Sequence, residues 1–278
     1  MNSQKVWLIT GASQGLGLLT VKYLLGKGQL VVATTRDQNS FDATLLKDDN
    51  LRVYSLDVTN EDAVQEVVEE VIATHGRIDV LINNAGFGFL GAVEEASVDE
   101  VNDVLAVNVL GTFNLMRQVL PYMRKEHSGH IINLSSASGL VSTPGFGIYN
   151  ASKYAIEGLT EALKLEVKGL GIKVTLIEPG AFRTNFLGTS LRSAKKEIDD
   201  YLPTAGHFKT MFHHNNGKQL GNPERAVEAL YAVTEMENPP LRLLLGSDAY
   251  TRVHSKLEQL LAEFDLFKNI TFSTDFKN

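Results

Sequence analysis

Cysteine is absent from the 278 residues. That excludes a disulfide framework and a thiolate-bound zinc site, and it fits a reducing compartment. Basic charge is scarce as well. Lys and Arg total 26 against 33 Asp and Glu, for a formal net charge of -7, so the chain lacks the basic surplus that DNA or RNA binding needs. No run of eighteen apolar residues occurs, so no membrane span is expected. A secretory leader is not expected either, because the first apolar run, VWLIT from Val6, passes directly into a glycine-rich turn. These absences lead to the expectation of a soluble, cytoplasmic protein. What remains is ordinary for a globular chain: 44% hydrophobic and 21% charged residues, enough apolar surface for a core and too little charge for disorder. The length suits one large α/β domain or two small ones.

Val6 to Thr10 reads as a buried strand. TGASQGLG follows, with Gly11, Gly15 and Gly17, and then LLTVKYLLGKG reads as a helix ending at Gly26 or Gly28. Strand, glycine turn and helix come in the order of a dinucleotide site. Glycines let the backbone approach a pyrophosphate, and the N–H groups opening the helix receive its charge. The candidate cofactor contacts here are Gly11, Ser13, Gln14, Gly15, Leu16 and Gly17, although a tight turn would use the same glycines. Leu30 to Thr34 reads as the second strand and is followed by Thr35, Arg36 and Asp37. An Arg at this place accommodates the 2′-phosphate of NADP, and an acid binds the ribose of NAD. Arg36, with Ser13 as a further donor, favours NADP; Asp37 keeps NAD open. The third strand, Leu51 to Leu56, ends at Asp57 and Val58, in place to meet the adenine ring. Alternatively, Asp57 or Thr59 caps the helix expected over Asn60 to His75.

Farther on, Ser136 precedes Tyr149 by thirteen residues, and Lys153 follows four later. Thr143 to Gly147 reads as a loop, and from about Tyr149 the pattern turns helical. Residues four apart share a helix face, so Tyr149 and Lys153 point the same way. An ammonium beside a phenol lowers its pKa and makes it a usable acid/base. Ser136 is then placed to hold a substrate oxygen. The plainer alternative is a half-buried Tyr beside a solvated Lys.

Together with Asn83-Asn84-Ala85-Gly86 after a fourth strand, the pattern T-G-x-x-x-G-x-G and Ser136…Tyr149-x-x-x-Lys153 resembles the short-chain dehydrogenase/reductase family. The likeness is to its short, single-domain branch and covers roughly residues 5 to 250. It implies an α/β fold: a single-domain Rossmann fold, a doubly wound parallel seven-stranded sheet with helices on both faces. It implies that Asn84, Ala85 and Gly86 line the adenine-ribose side of the cofactor. It makes Asn108 the fourth member of a catalytic tetrad with Ser136, Tyr149 and Lys153, holding a water that relays protons from Lys153. Tyr149 and Lys153 also touch the cofactor. The family pattern S-x-x-G picks Ser136 over Ser135 and gives Ser138 a substrate contact. Past the sixth strand (Ile172 to Ile177), the pattern P-G-x-x-x-T falls on Pro179, Gly180 and Thr184, with Thr184 orienting the nicotinamide. The implied activity is an NADP(H)-dependent oxidoreductase interconverting a ketone or aldehyde and an alcohol. The alternatives are an NAD-dependent alcohol dehydrogenase, a cofactor-sensing protein without turnover, and an epimerase or dehydratase. The sensor is disfavoured by the intact tetrad, the epimerase by length and glycine spacing.

The last third is specific to this chain. Residues 187–222 are polar, weakly periodic and too long for a plain connection; the resemblance makes them a substrate lid. His207, His213 and His214 lie there without ligand spacing, so no metal site is expected. Pro223 to Met236 reads as a helix, Leu241 to Leu245 as a seventh strand, and Ala249 to Phe264 as an amphipathic helix. An aromatic tail of Phe267, Phe272 and Phe276 closes residues 249–278. An apolar substrate pocket is expected from Phe87, Phe89, Leu140, Val141, Phe146, Phe182 and Phe186, with Phe146 and Phe182 as substrate contacts. A homodimer or homotetramer is the expectation that the family gives.

Overall fold

A computed structural model describes residues 4–276, the side chain of His213 excepted. Its centre follows from strand alternation. Successive side chains leave a strand on opposite faces. In β1 (Val6–Ile9), Val6 and Leu8 enter one hydrophobic cluster while Trp7 and Ile9 enter another. In β4 (Val80–Asn83), Leu81 joins the first cluster and Val80 and Ile82 the second. Strands apolar on both sides need cover on both sides, which is the condition of a parallel sheet between helices.

The remaining strands are β2 (Leu30–Thr35), β3 (Leu51–Ser55), β5 (Gly88–Leu90), β6 (Gly129–Leu134), β7 (Ile172–Pro179), β8 (Leu191–Ser193) and β9 (Arg242–Leu245). Seven form one sheet in the order β3-β2-β1-β4-β6-β7-β9, and every pairing is parallel. On one face, α2 (Glu61–His75), α4 (Thr112–Glu126) and α5 (Gly147–Glu166) supply Val64, Leu115 and Leu163 to the core. On the other, α1 (Gly15–Gly26) and α7 (Pro223–Thr234) supply Val21, Leu24, Leu230 and Val233. The fold is the expected doubly wound Rossmann fold. The strand order reverses between β1 and β4, and the carboxyl ends flanking such a switch point form the ligand crevice of an open α/β sheet.

Other elements are α3 (Val98–Leu105), α6 (His207–His214), α8 (Ser247–Leu266) and α9 (Lys268–Phe272). Several differ from the sequence reading. Helix α2 is capped by Asn60, which accepts from Ala63 N at 3.1 Å. Asp57 instead closes its own turn, with one carboxylate oxygen accepting from Thr59 N and Oγ1 at 2.9 and 2.7 Å. Residues 187–222 are not structureless: they hold β8, paired in parallel with β5, a π-helical turn at Leu202–Gly206, and α6. Among the described residues no helix is long and apolar enough to cross a membrane, and no cluster of His, Cys, Asp or Glu could hold a metal.

Candidate active site

The loops after β1 and β4 are tied together by backbone contacts that only small residues allow. Gly11 has φ 63°, in the left-handed region, and a Cβ there would stand 2.8 Å from Ala85 Cα. A Cβ on Gly17 would stand 2.5 Å from Gly11 O and 2.6 Å from Asn84 Nδ2. Thr10 Oγ1 accepts from Asn84 N and Ala85 N, both at 3.0 Å. Asn84 Nδ2 donates to Thr10 O and Gly11 O, both at 2.9 Å. Asn84 therefore holds the glycine loop closed with its amide as well as lining the cavity, and Gly17 packs behind the loop, outside the cavity wall. The N-cap of α1, Gln14, makes no side-chain capping bond, so its side chain leaves the first N–H groups of α1 for an anion to take. Its amide reaches the other way, donating to Ser190 Oγ and accepting from Thr189 Oγ1, each at 2.9 Å.

One cavity of ≈ 900 Å³ runs from this loop across the carboxyl ends of the sheet. Ser13, Gly15, Leu16, Arg36, Asp37, Asp57, Val58, Ala85 and Gly86 line one end; Ser136, Ser138, Tyr149, Lys153, Pro179, Gly180 and Thr184 line the rest. Arg36 is exposed and makes no ion pair with any described residue, and it faces Asp57 electrostatically. Asp37 instead accepts from Asn39 N at 2.9 Å and caps a short 3-10 turn. Asn114, a residue with no motif to mark it, pins the loop by donating to Val58 O at 3.0 Å.

Ser136 follows the end of β6. Its hydroxyl donates to Pro179 O at 3.3 Å and accepts from Ser138 N at 3.1 Å. Tyr149 and Lys153 share one buried face of α5. Here the structure departs from the sequence reading. Burial pushes the Tyr149 phenol up to about 12, opposed by its contact with Ser136. Burial pushes the Lys153 ammonium down to about 8, with the charge of Glu157 opposing. The reason is geometric: Lys153 Nζ donates to Leu134 O at 2.7 Å and lies 5.7 Å from the centre of the Tyr149 ring. Desolvation thus outweighs the ammonium's pull on the phenol.

Asn108 does not line the cavity. It lies in a π-helical turn, Ala106–Gly111, between α3 and α4, and is 1% exposed. Oδ1 accepts from Phe87 N at 3.0 Å; Nδ2 donates to Phe87 O at 3.0 Å and Ser152 Oγ at 3.1 Å. A Cβ on Gly86 would stand 3.0 Å from Asn108 Oδ1 and 3.8 Å from Lys153 Nζ. The two polar groups therefore face one small gap that glycine leaves open.

The far end is aromatic. Phe146 meets Tyr149 edge-on at 5.3 Å and Phe212 at 4.8 Å; Phe186 lies 5.7 Å from Tyr149. Phe87 and Phe182 also line the cavity. Phe89, Leu140 and Val141 do not. Phe89 packs with Val104 and Ala194, while Leu140 and Val141 pack on Ala137, Ala249 and Val253. Lining residues missed in the sequence include Arg192, Met211, Phe212, Lys218, Asp248 and Arg252. Arg252 Nη2 donates to Thr143 Oγ1 at 2.9 Å. Asn150 steadies the same loop by donating to Ser138 O at 2.7 Å and Val141 O at 3.2 Å. None of these carries a local motif, because distant chain segments bring them together.

The chain matches the family model for short chain dehydrogenases over residues 5–195, and it belongs to that family. It is 37% identical over 244 residues to a 3-ketodihydrosphingosine reductase of Bacteroides thetaiotaomicron, covering 87% of this chain and 88% of the relative. The solved short-chain dehydrogenase of Streptomyces avermitilis superposes with a TM-score of 0.92 at 37% identity, covering 99% of this chain and all of the other. The structure of ElxO with NADP bound superposes at 0.73 with 26% identity, covering 90% of this chain and all of ElxO. The protein is an oxidoreductase of the nicotinamide-dependent short-chain dehydrogenase/reductase class.

Proposed function

We propose that this protein uses NADP(H) to interconvert a hydrophobic ketone or aldehyde and its alcohol, with Tyr149 as the acid/base. The observation that carries the reading is a single cavity with an anion-receiving glycine loop at one end and a buried Tyr149 phenol beside Ser136, walled by Phe146 and Phe186, at the other. The cradle fits a dinucleotide, since Gln14 leaves the opening N–H groups of α1 uncapped by its side chain and Gly11, whose Cβ would collide with Ala85, lets the two loops close up beside them. Gly11, Ser13, Gly15 and Leu16 hold the pyrophosphate side, Asp57, Val58, Ala85 and Gly86 the adenosine side, and Pro179, Gly180 and Thr184 the nicotinamide side. Arg36, with no carboxylate among the described residues bonded to it, takes the 2′-phosphate. When bound, the nicotinamide supplies or accepts a hydride.

The chain's own residues do the rest. Ser136 polarises the substrate oxygen, and Ser138 and Phe182 help place the substrate. The Tyr149 phenol stays protonated across neutral pH, as a proton donor to a carbonyl oxygen must. Lys153 carries charge beneath it, and Asn108 faces Lys153 across the Gly86 gap, where a water would pass protons outward. Residues 187–222, tied to the glycine loop through Gln14, act as the substrate lid. The keto group in the name of the Bacteroides relative agrees with carbonyl reduction. Exposed Leu110, Phe113 and Leu165 support a homo-oligomer, which light scattering on the eluting protein would test.

Two measurements test the reading. NADPH binding at least about tenfold tighter than NADH binding (about 1.4 kcal/mol) is expected, and equal or reversed affinities would move the ribose contact to Asp37. Tyr149→Phe is expected to lose turnover of apolar ketones by about a hundredfold or more with NADPH affinity nearly intact. Substantial residual turnover would remove Tyr149 from its role.

A further inference from the structure

Two carboxylates lie buried behind the candidate site and outside the cavity wall. Glu157 stands one turn beyond Lys153 on α5, and Glu178 directly precedes Pro179 on β7. They are 4% and 0% exposed. Arg242 of β9 reaches both: its Nε lies 3.0 Å from Glu157 Oε2 and 3.5 Å from Glu178 Oε1. Its Nη2 goes to the exposed Glu161 at 2.6 Å. Glu157 Oε1, both oxygens of Glu178 and Ser135 Oγ have no hydrogen-bond partner among the described residues. Ser135 Oγ and Glu157 Oε1 share one tight space, since a Cβ on Gly139 would stand 2.7 Å from the first and 3.2 Å from the second.

Two adjoining buried carboxyl groups cannot both ionise cheaply. A proton on one of them, donated to the other, also gives two of the four orphaned oxygens a partner. Glu178 is the one pushed upward, by burial first and then by Glu157, against the pull of Arg242. Glu157 has the closer guanidinium contact of the two. The other charged groups around the pair are Lys153 and Glu161 on α5 and Arg242 on β9. Arg242 is shared with Glu161, so part of Glu157's field is left for Lys153, whose ammonium burial alone disfavours.

We propose that Glu157 is a positioning residue whose buried negative charge keeps the proton on Lys153, and that a protonated Glu178 and Arg242 hold Glu157 in place. The proposal rests on the reading above for the use made of Lys153. The charge on Lys153 is nevertheless measurable without turnover, so the two fail separately: a protein that reduces no carbonyl compound sinks the activity, and the titration below still decides the positioning.

The test is a pH titration of the full-length protein carrying ¹³C-labelled lysine, with the Lys153 signal assigned through Lys153→Met. The wild-type midpoint is expected near 8. Glu157→Gln should lower it by about one pH unit or more, and Glu157→Asp, which keeps the charge, should restore most of the shift. Glu178→Gln imitates the protonated acid and should leave the midpoint in place. An unmoved midpoint in Glu157→Gln, or equal shifts in both Gln variants, overturns the proposal. Should Glu157→Gln fail to fold, ¹³C-carboxyl-labelled glutamate in the wild type decides. One protonated Glu signal at neutral pH, lost in Glu178→Gln, is expected, and its absence overturns the proposal.

Discussion

Helices α1 and α8 hold equivalent places and have opposite fates. Each follows a glycine-containing turn at the carboxyl end of a parallel strand, β1 or β9, and each lends residues to the same cavity: Leu16 from α1, Asp248 and Arg252 from α8. Helix α1 packs on β2 and α7 and buries Gly17, Thr20, Val21 and Leu24 within twelve residues. Helix α8 is twenty residues long and buries Ala249 and Val253, both in its first two turns. Beyond them Leu257, Leu261, Phe264 and Leu266 are at least half exposed. An amphipathic pattern states that a helix has an apolar face; it does not state that the same chain covers it. The helix enclosed by the sheet is fixed along its length, and the other is fixed only where it meets the cavity.

The largest expected effect lies on α1. In Gly17→Val the branched side chain meets Gly11 O and Asn84 Nδ2, in a place where the backbone itself must move. We expect a loss of about 2–3 kcal/mol in unfolding free energy and NADPH binding weakened about a hundredfold. A variant that still melts and binds like the wild type would show the α1 turn to be as loose as the far end of α8.

A buried base at the sheet centre gives the next effect. His130 on β6 is 4% exposed, with Nε2 2.9 Å from Thr175 Oγ1. Burial, with Lys173, Lys164 and Lys5 adding, lowers its pKa from 6.5 to about 3. The folded protein resists taking the proton that the unfolded chain accepts. Its contribution is therefore complete above pH 6.5 and is lost as pH falls toward 3, at about 1.4 kcal/mol for each pH unit separating the two values. His130→Gln should flatten that acid limb in denaturant titrations, while His254→Gln on the exposed part of α8 should leave it unchanged. Equal flattening by both would break the contrast.

How far the sequence revealed the fold follows the same division. Gly11, Gly17, Asn84 and Ala85 are close in space because β1 and β4 are adjacent, and their contacts demand particular residue types, so a local pattern betrays them. Ser136, Tyr149 and Lys153 sit on one loop and one helix turn and were legible for that reason. Arg252, Met211 and Asn114 reach the site or its loops from separate elements whose approach no spacing records. The pKa direction at Tyr149 was misread because a sequence shows a neighbour's charge and not the desolvation that outweighs it.

Arg252 tests the legible and illegible parts against each other. It has a hydroxyl partner in Thr143 and no carboxylate among the described residues. Arg252→Ala should raise the KM for a carbonyl substrate a fewfold, worth about 1 kcal/mol, with NADPH affinity unchanged. Weakened NADPH binding instead would extend the cofactor's reach to α8.

The smallest effect concerns the end of the chain. From His254 onward Lys256 and Leu260 are half-buried and every other described residue is exposed, and the stripe of Leu257, Leu261 and Phe264 meets no described core cluster. A chain ending at His254 should therefore change the unfolding free energy by no more than about 0.5 kcal/mol, or about 2 °C in Tm, when measured dilute enough for monomers. At higher concentration the same truncation separates two situations. If a second copy covers the stripe, the wild type gains Tm with concentration by mass action and the truncated chain does not. A fall of more than about 4 °C in the dilute truncated chain would mean that this part of α8 is held by its own domain after all, and the contrast with α1 would be lost.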